Sequence, residues 1–126
     1  MILDTCALLW LASEDKRLGA KARVRIADEA LVHVSAISGF EIALKVRQGK
    51  LDLPASPQKW FETIIAHHDL RCTPLSMDLC IAAAQLPPLH NDPCDRFIIA
   101  TAISKDWPIV TADKIFKRYG VEVISD

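Results

Sequence analysis

The sequence predicts a single α/β domain in which one parallel sheet is flanked by helices. The chain has 126 residues, which is enough for one well-buried core. Short apolar segments of strand length alternate along it with longer segments of helical periodicity. This alternation is typical of βαβ units, whose crossover helices connect parallel strands. We therefore expect one domain over residues 1–126, with no separate linker or repeat.

Two strands and four helices are expected in the first half of the chain. Asp4 or Thr5 can cap the first helix, and Gly49 stands where glycine is favoured after a helix. Ser56-Pro57 combines a cap serine with a first-turn proline. The predicted elements are, in order, a strand at Met1–Leu3, helices at Thr5–Ala12 and Gly19–Glu29, a strand at Leu31–Ser35, a helix at Ile37–Gln48 and a helix that begins at Ser56-Pro57.

Three further strands are expected in the second half. Ser76 is a cap residue for the helix that follows it, and Pro93 suits the first turn of the most apolar helix, DRFIIATAIS. The loop LPPLHND separates these two helices. The predicted elements are, in order, a third strand LRCTPL from Leu70, a helix from Ser76 to about Gln85, a helix from Pro93, a strand at Pro108–Thr111, a short helix after Asp113 and a fifth strand VEVIS.

Composition and charge exclude several classes of protein. No apolar run approaches the roughly 20 residues that a membrane-spanning helix needs, and no basic segment precedes the first apolar stretch as in a signal peptide. The 4 cysteines form no C-x-x-C pair and no zinc-finger spacing, so we expect reduced thiols in a cytoplasmic protein. The net charge of -1 means that any contact with nucleic acid must come from a local patch.

Four carboxylates are expected at the same edge of the sheet. Asp4 directly follows the first strand, and Glu41 lies in the first turns of the helix after the second strand. Asp95 is in the first turn of the helix before strand four, and Asp113 comes just after that strand. Helices begin where parallel strands end, and ligands of open α/β sheets bind at this carboxyl edge.

Each acid also has a purely structural interpretation. Asp4 and Asp113 could cap the helices that follow them. Glu41 could form an i,i+4 ion pair with Lys45, and Asp95 could be favoured by the helix dipole. These interpretations stay open for each residue taken singly.

A common function explains the four acids together. Two carboxylates about 6 Å apart repel each other by roughly 3 kcal/mol at an effective dielectric constant near 20. A cluster of four would therefore take up protons or separate unless a cation neutralised it. Oxygen ligands without His or Cys suit Mg²⁺ or Mn²⁺, and such ions promote phosphodiester hydrolysis.

Other residues near this edge are candidates for substrate binding. The hydroxyl of Thr111 could bind a phosphate, although a turn residue is as plausible an interpretation. Lys45 and Arg96 could contact RNA, although solvated helix faces usually carry such residues. The basic stretch Lys16 to Arg25 favours an exposed helix over an RNA-backbone patch, and His90 could approach a substrate.

Four stretches of the sequence resemble the PIN-domain ribonucleases, most closely the VapC-type toxins of bacterial toxin–antitoxin pairs. They occur in the same order as in that family and cover nearly the whole chain. The stretches are ILDTCALLWL, VSAISGFEIALKVRQGKL, LPPLHNDPCDRFIIATA and PIVTADKIFKRY.

The resemblance implies a five-stranded parallel sheet of order 3-2-1-4-5 and metal-dependent endonuclease activity on RNA. It places the acidic metal ligands of the family, which also serve catalysis, at Asp4, Glu41, Asp95 and Asp113. It also implies a homodimer and a cognate antitoxin that binds near the active site.

This chain departs from the pattern of the resembled family at two positions. Cys6 stands where relatives often have His, and Cys94 stands where they often have Phe. Neither change removes an acid, so both concern packing more than chemistry. Asp92 is an additional carboxylate whose function the resemblance leaves open.

Two other functions compete with a nuclease. A receiver or phosphohydrolase domain also uses carboxylates at this edge, but the third strand offers no phosphorylatable Asp and Asp4 begins no D-x-D motif. A non-catalytic binding module of the same fold is the better alternative to a nuclease, and a housekeeping nuclease is the alternative to a toxin. A binding module has no need of four acids, so an enzyme is the preferred interpretation.

Overall fold

Five parallel strands form one sheet in the order β3-β2-β1-β4-β5 in the computed structural model, which describes residues 1–125. The strands are β1 Ile2–Leu3, β2 Val32–Ser35, β3 Leu70–Thr73, β4 Ile109–Val110 and β5 Val123–Ile124. The helices are α1 Thr5–Ser13, α2 Ala20–Asp28, α3 Ala36–Arg47, α4 Pro57–His68, α5 Met77–Gln85 and α6 Pro93–Lys105, followed by a 3₁₀ helix at Lys114–Tyr119. Both the predicted fold class and the strand order implied by the resemblance are confirmed.

Most element boundaries differ from the prediction by one or two residues, and each difference has a local cause. The predicted third strand LRCTPL is too long, since β3 ends at Thr73, before a proline that has no N–H for the ladder. Helix α3 begins at Ala36 because the Ser35 hydroxyl oxygen accepts a hydrogen bond from the Ile37 N–H. Gly49 follows α3 with φ +71°, a conformation that favours glycine.

The sheet buries a different apolar layer on each of its faces. Successive side chains of a strand point to opposite faces, so Leu3 and Ile2 belong to separate core clusters. Leu3 packs in a cluster with residues of α1, α2 and α4, among them Trp60. Ile2 packs in the second cluster with Ile98 of α6 and Phe116 of the 3₁₀ helix. The short strand β1 is therefore buried on both sides.

The strand ends on the amino side of the sheet are apolar or paired. Met1 is buried, and its carbonyl accepts a hydrogen bond from the His33 N–H over 2.9 Å. The His33 ring stacks on the Trp107 indole, with ring centroids 3.8 Å apart and planes 14° from parallel. We call this end of the sheet, with Met1, His33 and Trp107 at or near the start of β1, β2 and β4, the amino edge.

The opposite strand ends carry buried polar side chains. The strand register pairs Leu3 with Val34 and with Val110, so strands β2, β1 and β4 end side by side. Buried polar residues at the ends of these three strands are Asp4, Ser35 and Thr111, and Thr73 is buried at the end of β3. We call this the carboxyl edge.

Within residues 1–125, no helix combines the length and the apolar character that crossing a membrane requires.

Candidate active site

Asp4 lies at the centre of the carboxyl edge and is only 5% exposed. Its Oδ1 accepts a hydrogen bond from the Ala7 N–H over 2.7 Å and so caps α1. Its Oδ2 accepts a hydrogen bond from the Thr111 hydroxyl over 2.5 Å. The two interpretations that the sequence left open are therefore compatible, since one carboxylate both caps a helix and faces the neighbouring strand.

Burial makes the Asp4 carboxylate costly to ionise. The pKa of Asp4 is raised to about 6, mainly because burial removes solvent; the hydrogen bonds from Thr111 and Ala7 oppose this rise, and the negative charges of Asp113 and Glu41 add to it. A cation close to this carboxylate would therefore stabilise its ionised form.

Asp95 and Asp113 meet around a histidine. The His90 Nε2 lies 2.9 Å from the Asp113 Oδ2 and 3.1 Å from the Asp95 Oδ2. Asp113 uses its other oxygen, Oδ1, to cap the 3₁₀ helix by accepting from the Ile115 N–H. The sequence suggested only that His90 could approach a substrate. The structure buries it between two of the predicted acids.

Asp95 is a second carboxylate that resists ionisation. Burial raises the pKa of Asp95 to about 7, and the charges of Asp92, Asp4 and Glu41 act in the same direction, while His90 lowers it. Asp95 and Asp4 thus influence each other across the ends of β1 and α6.

Glu41 contributes an unpaired oxygen to this edge. Its Oε2 lies 3.3 Å from the Lys45 Nζ, which is the i,i+4 pair expected on helix α3. Its Oε1 is buried and has no hydrogen-bond partner among the described residues. A buried carboxylate oxygen that has no hydrogen-bond donor and lies near other acids is suited to bind a cation.

Asp92 caps α6 beside Glu41. Its Oδ1 accepts hydrogen bonds from the Cys94 N–H at 2.9 Å and from the Asp95 N–H at 3.4 Å. Ligand atoms of Glu41, Asp92 and Cys94 lie within 4.8 Å of one another. Burial raises the pKa of the Cys94 thiol to about 11, so this group is protonated at neutral pH.

The structure brings the four predicted acids to one edge, in a form that suits a hard divalent cation. The donors are carboxylate oxygens, one of which is orphaned, and two of the acids have raised pKa values. A cation would stabilise the ionised forms, which burial above all and mutual repulsion to a lesser degree disfavour. That Asp4, Glu41, Asp95 and Asp113 serve as its ligands stays a prediction.

The three candidate substrate-binding residues have different surroundings. The Thr111 hydroxyl donates to Asp4 and accepts from the Asp113 N–H at 3.0 Å, so it connects two acids. The Lys45 side chain is 40% exposed beside Glu41. Arg96 donates to carbonyl oxygens of the loop before α6 rather than extending into solvent. Contacts of these residues with RNA stay predictions.

Two arginines of the basic stretch make contacts within their own turn. Arg17 forms an ion pair with Asp15 at 2.7 Å, and Arg23 donates to main-chain carbonyls that include Leu18 O. Its cations are thus partly engaged in the turn before α2. A contact between Lys16–Arg25 and RNA also stays a prediction.

Comparison with known proteins identifies relatives of the whole chain. The PIN domain family model matches residues 1–122. Ribonuclease VapC22 of Mycobacterium tuberculosis is 31% identical over 120 residues, which cover 94% of this chain and 91% of the relative.

Two solved structures share the fold. VapBC2 from Rickettsia felis, bound to a DNA fragment from its promoter, gives a TM-score of 0.72 at 16% identity, covering 98% of this chain and 96% of that one. A toxin–antitoxin complex from Klebsiella pneumoniae gives a TM-score of 0.65 at 20% identity, covering 98% and 95%. At these identities, the likeness bears on the fold alone.

Proposed function

Because the chain belongs to the PIN domain family, we propose that it is a metal-dependent endoribonuclease that hydrolyses RNA phosphodiester bonds as the toxin of a toxin–antitoxin pair. The observation that carries the proposal is the acidic cluster at the carboxyl edge, with its orphaned Glu41 oxygen. We assign Asp4, Glu41, Asp95 and Asp113 as its metal ligands and catalytic residues. Ribonuclease VapC22, to which 94% of this chain aligns, supports RNA as the substrate.

The donor set favours Mg²⁺ or Mn²⁺ as the ion. When bound, the ion supplies an activated water and stabilises negative charge on the phosphate oxygens. The protein's own residues fix the geometry, since the cap on α1 and the Thr111 hydroxyl hold both oxygens of Asp4. Lys45 is the best placed cation for a phosphate contact, because it is partly exposed at the rim.

We also propose an antitoxin partner and a homodimer. Two of the structures that share the fold are VapBC2 and a toxin–antitoxin complex, which supports an antitoxin partner. We propose that this antitoxin binds near the acidic cluster. The cytoplasm is the proposed location, since its RNA would be the substrate and the free cysteines would stay reduced there.

Purified protein should cleave RNA with Mg²⁺ or Mn²⁺ and lose this activity in EDTA. The ion should also stabilise the fold, by about 2.7 kcal/mol at a free concentration of about 100 Kd. Asp4→Asn should remove most of the cleavage and most of this stabilisation. Asp28→Asn, an exposed acid at the end of α2, should change neither. Cleavage by repurified protein that survives EDTA would contradict the mechanism.

Expression in the natural host tests the toxin part of the proposal. Without an antitoxin, the intact chain should inhibit growth, and Asp113→Asn should relieve the inhibition while the 3₁₀ helix keeps its cap. A soluble, active chain that leaves growth unchanged would favour a housekeeping nuclease. Metal binding without any RNA cleavage would favour a non-catalytic binding module.

A further inference from the structure

We propose that His90 is a positioning residue of the acidic site: a neutral ring that donates from Nε2 to Asp113, lies in close contact with Asp95 and thereby fixes the spacing of these two carboxylates. This inference rests on the proposed function of the site. It assigns His90 to the support of the metal ligands and excludes it from the ligand set.

The hydrogen bonds of the ring assign its tautomer. The Asp92 N–H donates to the His90 Nδ1 over 3.1 Å, so Nδ1 must offer a lone pair. A neutral imidazole carries one N–H, which must then be on Nε2. Nε2 then donates a hydrogen bond to the Asp113 Oδ2 over 2.9 Å, and the Asp95 Oδ2 lies 3.1 Å from the same nitrogen.

This tautomer decides between two possible functions of His90. A metal ligand needs a lone pair on the coordinating nitrogen, and Nε2 has none while it carries the proton. Histidines that bind a metal donate from the other ring nitrogen, whereas the other nitrogen of His90 accepts. His90 is therefore a hydrogen-bond donor to Asp113.

The backbone of His90 is held from two sides. The Tyr119 hydroxyl oxygen accepts from the His90 N–H at 2.8 Å and from the Leu89 N–H at 3.2 Å, and it donates to Pro87 O at 2.7 Å. The Arg96 Nη1 donates to His90 O at 3.1 Å and to Pro87 O at 3.1 Å. The loop that carries the ring is thus fixed before any ligand arrives.

Arg96 also attaches this loop to the end of α5. Its Nε donates to Ala83 O at 3.2 Å, and its Nη2 donates to Ala84 O at 3.3 Å and Leu86 O at 2.6 Å. These are carbonyls at the helix C-terminus, which have no partner within the helix. The guanidinium thus joins α5, the loop and α6, and this supports a structural function for Arg96.

The ring of His90 has little freedom to turn away. It is 9% exposed and packs edge-on against Phe116, with ring centroids 5.6 Å apart and planes at 78°. Because the backbone and the ring are both held, the Nε2 proton lies at a fixed point between Asp95 and Asp113. An N–H at this point offsets the repulsion of the two carboxylates, through its hydrogen bond to Asp113 and its partial positive charge near Asp95.

The first measurement uses the unmodified protein and no RNA. ¹⁵N NMR of the histidine rings should show His90 protonated at Nε2 and unprotonated at Nδ1. The Nε2 proton should remain when Mg²⁺ saturates the protein. A proton on Nδ1, or loss of the Nε2 proton on Mg²⁺ binding, would overturn the proposal, because His90 would then be free to act as a ligand.

The second measurement is the Mn²⁺ affinity of variants by calorimetry. His90→Ala should weaken binding by about 10–100-fold, as the loss of partners behind metal ligands commonly does. His90→Gln should recover most of the affinity, because the side-chain amide can donate from a similar position. His67→Ala, on an exposed histidine of α4, should bind as the unmodified protein does.

The outcomes separate this proposal from the proposed function. A folded His90→Ala variant with unchanged Mn²⁺ affinity would refute the positioning function alone. Unmodified protein that binds Mn²⁺ with the assigned tautomer but cleaves no RNA would refute the nuclease alone, and protein that binds neither ion would refute both. If His90→Ala does not fold, Tyr119→Phe releases the His90 backbone and should weaken Mn²⁺ binding in the same direction. Unchanged affinity in this folded variant would then overturn the proposal.

Discussion

The two edges of the sheet are built from the same strands but have opposite chemistry. At the amino edge, main-chain hydrogen bonds join Met1 to His33 and Ile2 to Pro108, and the His33 ring stacks on Trp107. At the carboxyl edge, Asp4 and Asp95 are buried or half-buried with raised pKa values.

This difference between the edges indicates that the amino edge contributes to stability and the carboxyl edge to function. The amino edge has partners for the groups it buries, so it should contribute to the free energy of folding and to little else. The carboxyl edge concentrates negative charge, which the Lys45 ammonium group neutralises only in part. Substitutions at the two edges should therefore affect different measurements.

The largest expected effect is the loss of cleavage in Asp95→Asn. The substitution keeps the size of the side chain and removes a charge from the carboxyl edge. Metal ions stabilise transition-state charge by several kcal/mol, so the loss of about 3 kcal/mol corresponds to roughly 100-fold slower RNA cleavage. Circular dichroism should show an intact fold. A folded Asp95→Asn variant that cleaves RNA at the unmodified rate would refute the assignment of this ligand.

The second effect is a dependence of stability on pH in EDTA. The pKa of Asp4 is about 6 in the folded chain and near 3.8 without burial, so the folded state holds more protons between these values. The stability that protonation contributes is complete below about pH 4 and is lost as the pH rises towards 7. At about 1.4 kcal/mol per unit, the loss is roughly 2–3 kcal/mol.

Urea denaturation of the unmodified protein and Asp4→Asn isolates this contribution. Asn can keep the cap on α1 but does not titrate, so its stability relative to the unmodified protein should grow as the pH rises. Contributions that are the same in both proteins cancel in the difference. A difference that is constant between pH 4 and 7 would contradict the raised pKa of Asp4.

At the amino edge, Trp107→Ala should reduce stability and spare the chemistry. The half-buried indole stacks on His33 and packs against the second core cluster, so we expect a loss of about 2 kcal/mol, less than for a fully buried Trp. Urea denaturation gives the loss, and Trp107→Phe should show a smaller one. Cleavage per folded molecule should stay within a few-fold. Loss of Mn²⁺ binding in the folded variant would show that the two edges are coupled.

The smallest effect is expected from Asp92→Ala, which tests whether every acid at the carboxyl edge is functional. Its side chain caps α6, so the loss should be about 0.5–2 kcal/mol of stability, with most of the cleavage retained. The Asp92 N–H that donates to His90 belongs to the backbone and survives the change. Asp92→Asn should keep the cap and the stability. A stable but inactive Asp92→Ala variant would make Asp92 a functional acid.

The elements of the fold were predictable because their signals are local. Ser35, Ser56 and Ser76 each accept a backbone N–H two or three residues further on, so a short segment decides where the helix begins. The meeting of the four acids followed from the rule that parallel strands end at one edge. The strand order came from the family resemblance, since periodicity does not specify which strands are neighbours.

The surroundings of His90 and Arg96 were not predictable in the same way. The hydroxyl that holds the His90 N–H belongs to Tyr119, 29 residues away in the sequence. From the sequence, Arg96 is expected to be a solvent-exposed arginine on a helix. In the structure it donates to carbonyls of another helix and of a loop. Such contacts depend on how the helices and strands pack, and local sequence patterns do not predict them.

Three of the acids at the carboxyl edge, Asp4, Asp92 and Asp113, are also helix caps, and this constrains how the sequence can drift once selection for activity is relaxed. Asparagine caps a helix as well as aspartate does, whereas most other residues leave the helix end without a partner. A descendant that no longer cuts RNA would thus accumulate Asn at positions 4 and 113, which silences the chemistry at little cost in folding. Glu41 caps no helix, so position 41 would be free to accept many residues. Inactive descendants should therefore show Asn at positions 4 and 113 together with varied residues at position 41.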